Sequence, residues 1–153
     1  MRTMLAVDLG LKTGLALYSD EPRLIWYRSQ NYGSTERLKR AAYSVIHDMP
    51  DLSYIVIEGG GVLARPWALQ AARHDVEVLM VSAHEWRAAL LKKQDQGPTR
   101  RAKRSAESLA PKVIDAMQGK RPTSLRHDAA EAILVGLWAM GRLGWIDRFQ
   151  DYI

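Results

Sequence analysis

This sequence predicts an α/β fold, a mixed five-stranded sheet with its first three strands antiparallel and helices flanking it. Three observations point there. Strand-like runs fill residues 4–29 with no helical pattern between them, two later apolar runs (54–57 and 76–81) follow segments of helical character, and helical patterns close the chain. A hairpin-linked start followed by helix-to-strand crossovers makes the later strands parallel to the first and buries them between layers.

The elements follow in order. Met4 to Val7 is an apolar strand ending at Asp8, and Gly14 to Tyr18 is its antiparallel mate; Gly10 and Gly14 bracket a turn that predicts a positive φ within it. Leu24 to Ser29 makes the third strand, after the turn residues Ser19 to Pro22. Ser34 caps a helix whose apolar positions Leu38, Ala41, Ala42, Val45, Ile46 and Met49 keep helical spacing, and Pro50 closes it. Tyr54 to Ile57 is a short apolar strand ending in Glu58 and three glycines. A helix from about Pro66 to Arg73 has its proline in the first turn, where the missing N–H costs nothing, and offers Trp67, Leu69 or Ala71 for packing. Val76 to Val81 is the fifth strand, and Ser82 with Glu85 has capping-box spacing for a helix carrying Trp86, Leu90 and Leu91. Residues 94–99 read as a polar loop in which Thr99 caps the next helix; Ala102, Ala106, Leu109, Val113, Ile114 and Met117 form its apolar face, Pro111 marks a kink or restart, and Gly119 its end. After the basic turn Lys120 to Ser124, a strongly apolar helix begins near residues 125–128, and residues 141–153 form a short helix or irregular cover.

A chain of 153 residues that is 47% hydrophobic is expected to be one domain, 1–153, with a core that needs no staples. The absence of cysteine excludes disulfides, thiolate zinc sites and cysteine nucleophiles, and it suits a reducing cytoplasm, the expected location. Neither a secretory pattern nor a run of roughly 20 apolar residues is present, so no membrane partner is expected. The net charge of +5 suggests a polyanionic partner, and its distribution says more. Six of the thirteen residues from 92 to 104 are basic (Lys92, Lys93, Arg100, Arg101, Lys103 and Arg104) against Asp95 alone. With the rest of the chain near neutral, this cluster is a candidate nucleic-acid grip rather than a solvated face.

Asp8, Glu58, Asp128 and Glu131 each lie at an end of an otherwise apolar element, and the last two, three residues apart, share one helix face. Singly each has an ordinary explanation as a turn residue, a strand end or a helix-dipole partner. Together, in partly desolvated surroundings, they call for hard divalent cations, which prefer a few carboxylates plus water and substrate phosphate. Two Mg²⁺ ions in such a site activate a water on one side of a phosphodiester and stabilise the leaving oxygen on the other, so the expected chemistry is phosphodiester hydrolysis. His127 is a ligand, a group that supports a ligand, or a surface residue, as a lone histidine at a helix start usually is. The element order with acids at these ends is the ribonuclease H-like layout.

Ala6-Val7-Asp8-Leu9-Gly10 with Thr13-Gly14, Ile55-Val56-Ile57-Glu58, and His127-Asp128-Ala129-Ala130-Glu131-Ala132 together resemble the RuvC-type Holliday junction resolvases over essentially the whole chain. The resemblance implies a homodimeric, Mg²⁺-dependent endonuclease, with two ions per site and Mn²⁺ as a substitute, that resolves four-way DNA junctions by paired symmetric nicks. It implies Asp8, Glu58, Asp128 and Glu131 as metal ligands, and Arg87 and Lys103 as the basic residues beside the scissile phosphate, Lys103 in a catalytic role. One departure is Gly59-Gly60-Gly61-Val62-Leu63, which stands where that family carries a polar residue and an aromatic wedge. Leu63, Arg65 and Trp67 are the candidates for wedge or dimer contact, within a seam running from Val62 to Ala72. Two other readings stay open: a related ribonuclease H-like nuclease that processes ribosomal RNA precursors, and a non-catalytic nucleic-acid-binding module.

Overall fold

The computed structural model describes residues 1–96 and 100–153, with only the backbone at Gln94. The predicted cap Thr99 and the Gly97-Pro98 pair lie outside the described residues. Strand β1 (Thr3–Asp8) is the middle of a five-stranded sheet in the order β3-β2-β1-β4-β5, completed by β2 (Lys12–Ser19), β3 (Arg23–Asn31), β4 (Leu52–Glu58) and β5 (Glu77–Val81). β1 to β3 pair antiparallel, and β4 and β5 join in parallel, as the crossovers predict. The helices are α1 (Thr35–His47), α2 (Arg65–Arg73), α3 (Ala83–Leu90), α4 (Arg100–Ala116) and α5 (His127–Arg142), with 3₁₀ turns at Lys93–Asp95 and Phe149–Asp151. No helix among the described residues is long and apolar enough to cross a membrane.

Strand alternation sorts the core into two layers. Leu5, Val7, Leu15, Leu17, Ile55 and Ile57 pack on one face with α1 and α2. Met4, Ala6, Ala16, Tyr18 and Val56 pack on the other with α4 and α5. Continuing the two-residue period, Asp8 follows Met4 and Ala6, and Glu58 follows Val56, so both carboxylates turn to the α5 face. The local signals that position these layers hold: Ser34 accepts from the Arg37 amide at 3.3 Å, and Ser82 and Glu85 form both bonds of a capping box.

Several details differ from expectation. No residue of the β1–β2 turn has positive φ; Gly10 is there for space, since a Cβ would lie 2.6 Å from the Lys12 carbonyl oxygen. The left-handed positions fall instead at Gly59 (φ 106°) and Gly61 (φ 77°), directly after Glu58. Helix α4 runs through Pro111 as one element, because Ala106, Ala110, Val113 and Ile114 bury a continuous face on both sides of the exposed proline. Its left-handed terminal residue is Gln118 (φ 58°) rather than Gly119.

Trp67 is neither a wedge nor a surface dimer contact. It is fully buried in the layer under α1 and α2. Pro66, Trp67, Gln70 and Ala71 form the inward stripe of α2, so the helix presents Arg65 and Leu69 outward instead. A charge at position 67 therefore disrupts the core, not a seam.

Candidate active site

Asp8 and Glu58 are register partners across the parallel β1–β4 pair, and Gly14 on β2 stands opposite Asp8 on its other side. Helix α5 crosses this point at close range. A Cβ at Gly14 would lie 1.8 Å from the Asp128 carbonyl oxygen, and one at Gly136 would lie 2.2 Å from the Tyr18 ring. The buried Tyr18 hydroxyl donates to the Ile133 carbonyl at 2.6 Å and fixes the helix over the sheet. That crossing brings Glu131 to the strand ends: carboxylate oxygens of Asp8, Glu58 and Glu131 all lie within 4.8 Å of one another.

Asp8 and Glu131 are buried. Burial first, then the Glu58 carboxyl against it and the negative charges of Glu131, Glu58 and Asp128, push the Asp8 carboxyl from 3.8 up to about 10. Glu131 is held from two sides. Arg87, presented by α3 beside the buried Trp86, donates from Nη2 to its Oε1 at 3.0 Å, and His127 Nε2 lies 3.3 Å from the same oxygen. The other His127 nitrogen faces Glu107 Oε1 at 3.7 Å. Arg87 is thus at the carboxylates, with a side chain only 12% exposed, rather than on an open binding face. Asp128 stands at the margin: it accepts from Ser29 Oγ at 3.3 Å, outside the close group of three, yet near enough that its charge raises the Asp8 carboxyl.

Three crowded carboxylates faced by one arginine are an unbalanced set, and hard oxygen donors in this arrangement could hold a divalent cation. Lys103 is exposed on α4 one turn before Glu107, on the helix face that turns toward His127. Lys92, Lys93, Arg100 and Arg104 are exposed, and Arg101 pairs with Asp95 at 3.8 Å. Leu63 is half-buried and Arg65 exposed, and the apolar residues that reach solvent in their segment are Val62 and Leu69. Sequence reasoning missed Ser29 and Glu107 and left His127 open. The four-residue spacing of His127 and Glu131 was the one visible signal among these.

No family model matches the chain, and no curated protein does. Among solved structures it is similar to a Thermus thermophilus RuvC structure, at 16% identity with a TM-score of 0.62, covering 93% of this chain and 96% of that one. It is also similar to T. thermophilus RuvC in complex with Holliday junction substrate, at 15% identity and a TM-score of 0.63, over 94% of this chain and 97% of that one. The chain has the RuvC-like form of the ribonuclease H-like fold over nearly its whole length.

Proposed function

We propose that the protein is a structure-selective DNA endonuclease that resolves four-way junctions, with residues 1–153 as its nuclease unit. The observation that carries this reading is the group Asp8, Glu58 and Glu131 at the ends of the central strands and under α5. Its support from likeness is the similarity of fold to a RuvC bound to a Holliday junction substrate. Asp8, Glu58 and Glu131, with Asp128 at the margin, would hold two Mg²⁺ ions, which supply an activated water and a stabilised leaving oxygen. Around them Arg87 and His127 fix the orientation of Glu131, Ser29 orients Asp128, and Lys103 meets the phosphate of the cleaved strand. The deciding experiment is cleavage of a synthetic four-way junction beside linear duplex and structured RNA, with and without Mg²⁺. Mg²⁺-dependent paired nicks in the junction are expected. Preference for structured RNA, or no cleavage of any substrate, refutes the assignment.

The basic segment is the DNA grip in this reading. Each phosphate it neutralises on duplex arms adds about 0.9 to the slope of log affinity against log salt. Changing Arg100, Arg101 and Arg104 to Gln should lower that slope by about 2, with Arg101 contributing least because Asp95 already pairs with it. Filter binding across a salt series reads the slope; no change would make the segment a solvated face. Lys103→Gln, by contrast, should lower turnover more than affinity.

Paired nicks need two copies of the carboxylate group, and a two-fold dimer provides them. The seam assigned here is the outward face of α2, beside a hollow of about 650 Å³ between α1 and α2, where Val62 (66% exposed) and Leu69 (50% exposed) stand next to Arg65 and Lys39. Leu69→Glu should convert the sedimenting species from dimer to monomer with little change in melting temperature, since Leu69 is outside the core. A variant that stays dimeric moves the seam; a wild type monomeric both free and on a junction removes it.

A further inference from the structure

We propose that the protein has a second nucleic-acid track, along the edge strand β3, which holds the cleaved DNA strand as it continues from the scissile phosphate. The inference rests on the nuclease reading above. β3 is one edge of the sheet; β5, from which the 92–104 segment issues by way of α3, is the other. Beside Asp128 lies a hollow of about 300 Å³ walled by Lys12, Ser29, Asn31 and Arg126. It shares Ser29 and Arg126 with a second hollow, which in turn shares Tyr27 with a third bounded by Trp26, Lys120 and Pro122. The three form one trough between β3 and the turn 120–126.

Its chemistry is that of a strand track. Lys12, Lys120 and Arg126 are all exposed, and none pairs with an acid among the described residues, whereas neighbouring Arg121 is taken up by Asp115 at 3.0 Å. The Tyr27 ring, partly buried on the α5 face of β3, is the aromatic surface of the trough on which a base can stack, whereas Arg28 lies over Trp26 at 4.5 Å on the opposite, α1 face of the strand and takes no part in it. The Tyr27 hydroxyl donates to the Lys120 carbonyl and pins the basic turn against the strand. Cations spaced along a groove with an aromatic ring between them match a phosphate backbone with unstacked bases, as found near a branch point. The trough also ends in the right place, because Ser29 on its floor donates to Asp128 at the carboxylates.

The test is junction binding in EDTA over a salt series, with the variant Lys12→Gln/Lys120→Gln/Arg126→Gln. Its salt slope should fall by about 2, the sum for three single-strand phosphates. Junctions whose cleaved strand carries neutral methylphosphonate linkages on one side of the scissile phosphate locate the track. On one side, 5′ or 3′, the linkages should weaken the wild type and leave the variant unaffected; on the other they should weaken both equally. The charge-retaining Lys12→Arg/Lys120→Arg/Arg126→Lys variant should keep the wild-type slope. An unchanged slope in the Gln variant, a lowered slope in the charge-retaining one, or equal weakening from both sides overturns the track while the nuclease reading stands. A wild type that binds no junction overturns both.

Discussion

Asp8→Asn should abolish Mg²⁺-dependent cleavage, leave junction binding in EDTA unchanged, and raise the stability of the metal-free protein. The first effect follows from removing the buried carboxylate at the centre of the ligand group. A loss of at least about 10³-fold, near 4 kcal/mol of transition-state stabilisation, is expected in single-turnover cleavage. Binding survives because the basic surfaces are untouched. The stability gain follows from linkage. Burial, with the neighbouring carboxylates, raises the Asp8 carboxyl to about 10 in the fold against 3.8 in the unfolded chain. Between those values the folded state holds a proton that the unfolded state releases, so this group's contribution to stability falls as pH rises, by up to about 1.4 kcal/mol per pH unit. Asn has no proton to lose. The difference in melting temperature between variant and wild type in EDTA should therefore widen from pH 5 to pH 9, and Mg²⁺, which must displace that proton, should bind the wild type more tightly as pH rises. Substantial turnover by the variant, or a difference that narrows with pH, contradicts this account.

What was legible in the chain follows from how local each signal is. The hairpin strands, the Ser34 cap and the Ser82–Glu85 box are written in adjacent residues, and acids closing apolar runs stand out because burial there needs a reason. The juxtaposition of Asp8 with Glu58 was readable at one remove, since parallel strands separated by a crossover end on the same edge. Contacts set by the angle of a helix on the sheet were not. Arg87 meets Glu131 across 44 residues, Ser29 meets Asp128 across 99, and no periodicity encodes either. Trp67 was misjudged for a related reason: a nine-residue helix has too few positions to fix its inward stripe, and only the docked helix shows that Trp67 points in and Leu69 out. The second basic surface was half visible. Lys120 and Arg121 announce a basic turn, but only the structure lays that turn against Tyr27 of β3.

The same crossing of helix over strand makes Gly14 the residue on which fold and site depend together. Its φ is not in the left-handed region, so alanine suits the backbone there, and the cost of Gly14→Ala is one of space alone. The added Cβ would lie 1.8 Å from the Asp128 carbonyl oxygen, 2.4 Å from its carbon and 3.1 Å from the Ala129 nitrogen, all backbone atoms with no rotamer to relieve them. Helix α5 cannot slide away freely, because Gly136 sits against the Tyr18 ring and the Tyr18 hydroxyl holds the Ile133 carbonyl. The helix must tilt at its N-terminal turn, carrying Asp128 and Glu131 off the strand ends. Gly14→Ala is expected to cost about 3 kcal/mol or more, read as a lowered melting temperature, and to remove most cleavage at temperatures where the protein remains folded. Gly136→Ala is the control. It overpacks the same helix against Tyr18, but more than a turn beyond Glu131, so at matched stability it should retain more cleavage than Gly14→Ala. Equal losses in the two variants would mean that overpacking α5 acts only through stability and that Gly14 has no special part in seating the carboxylates.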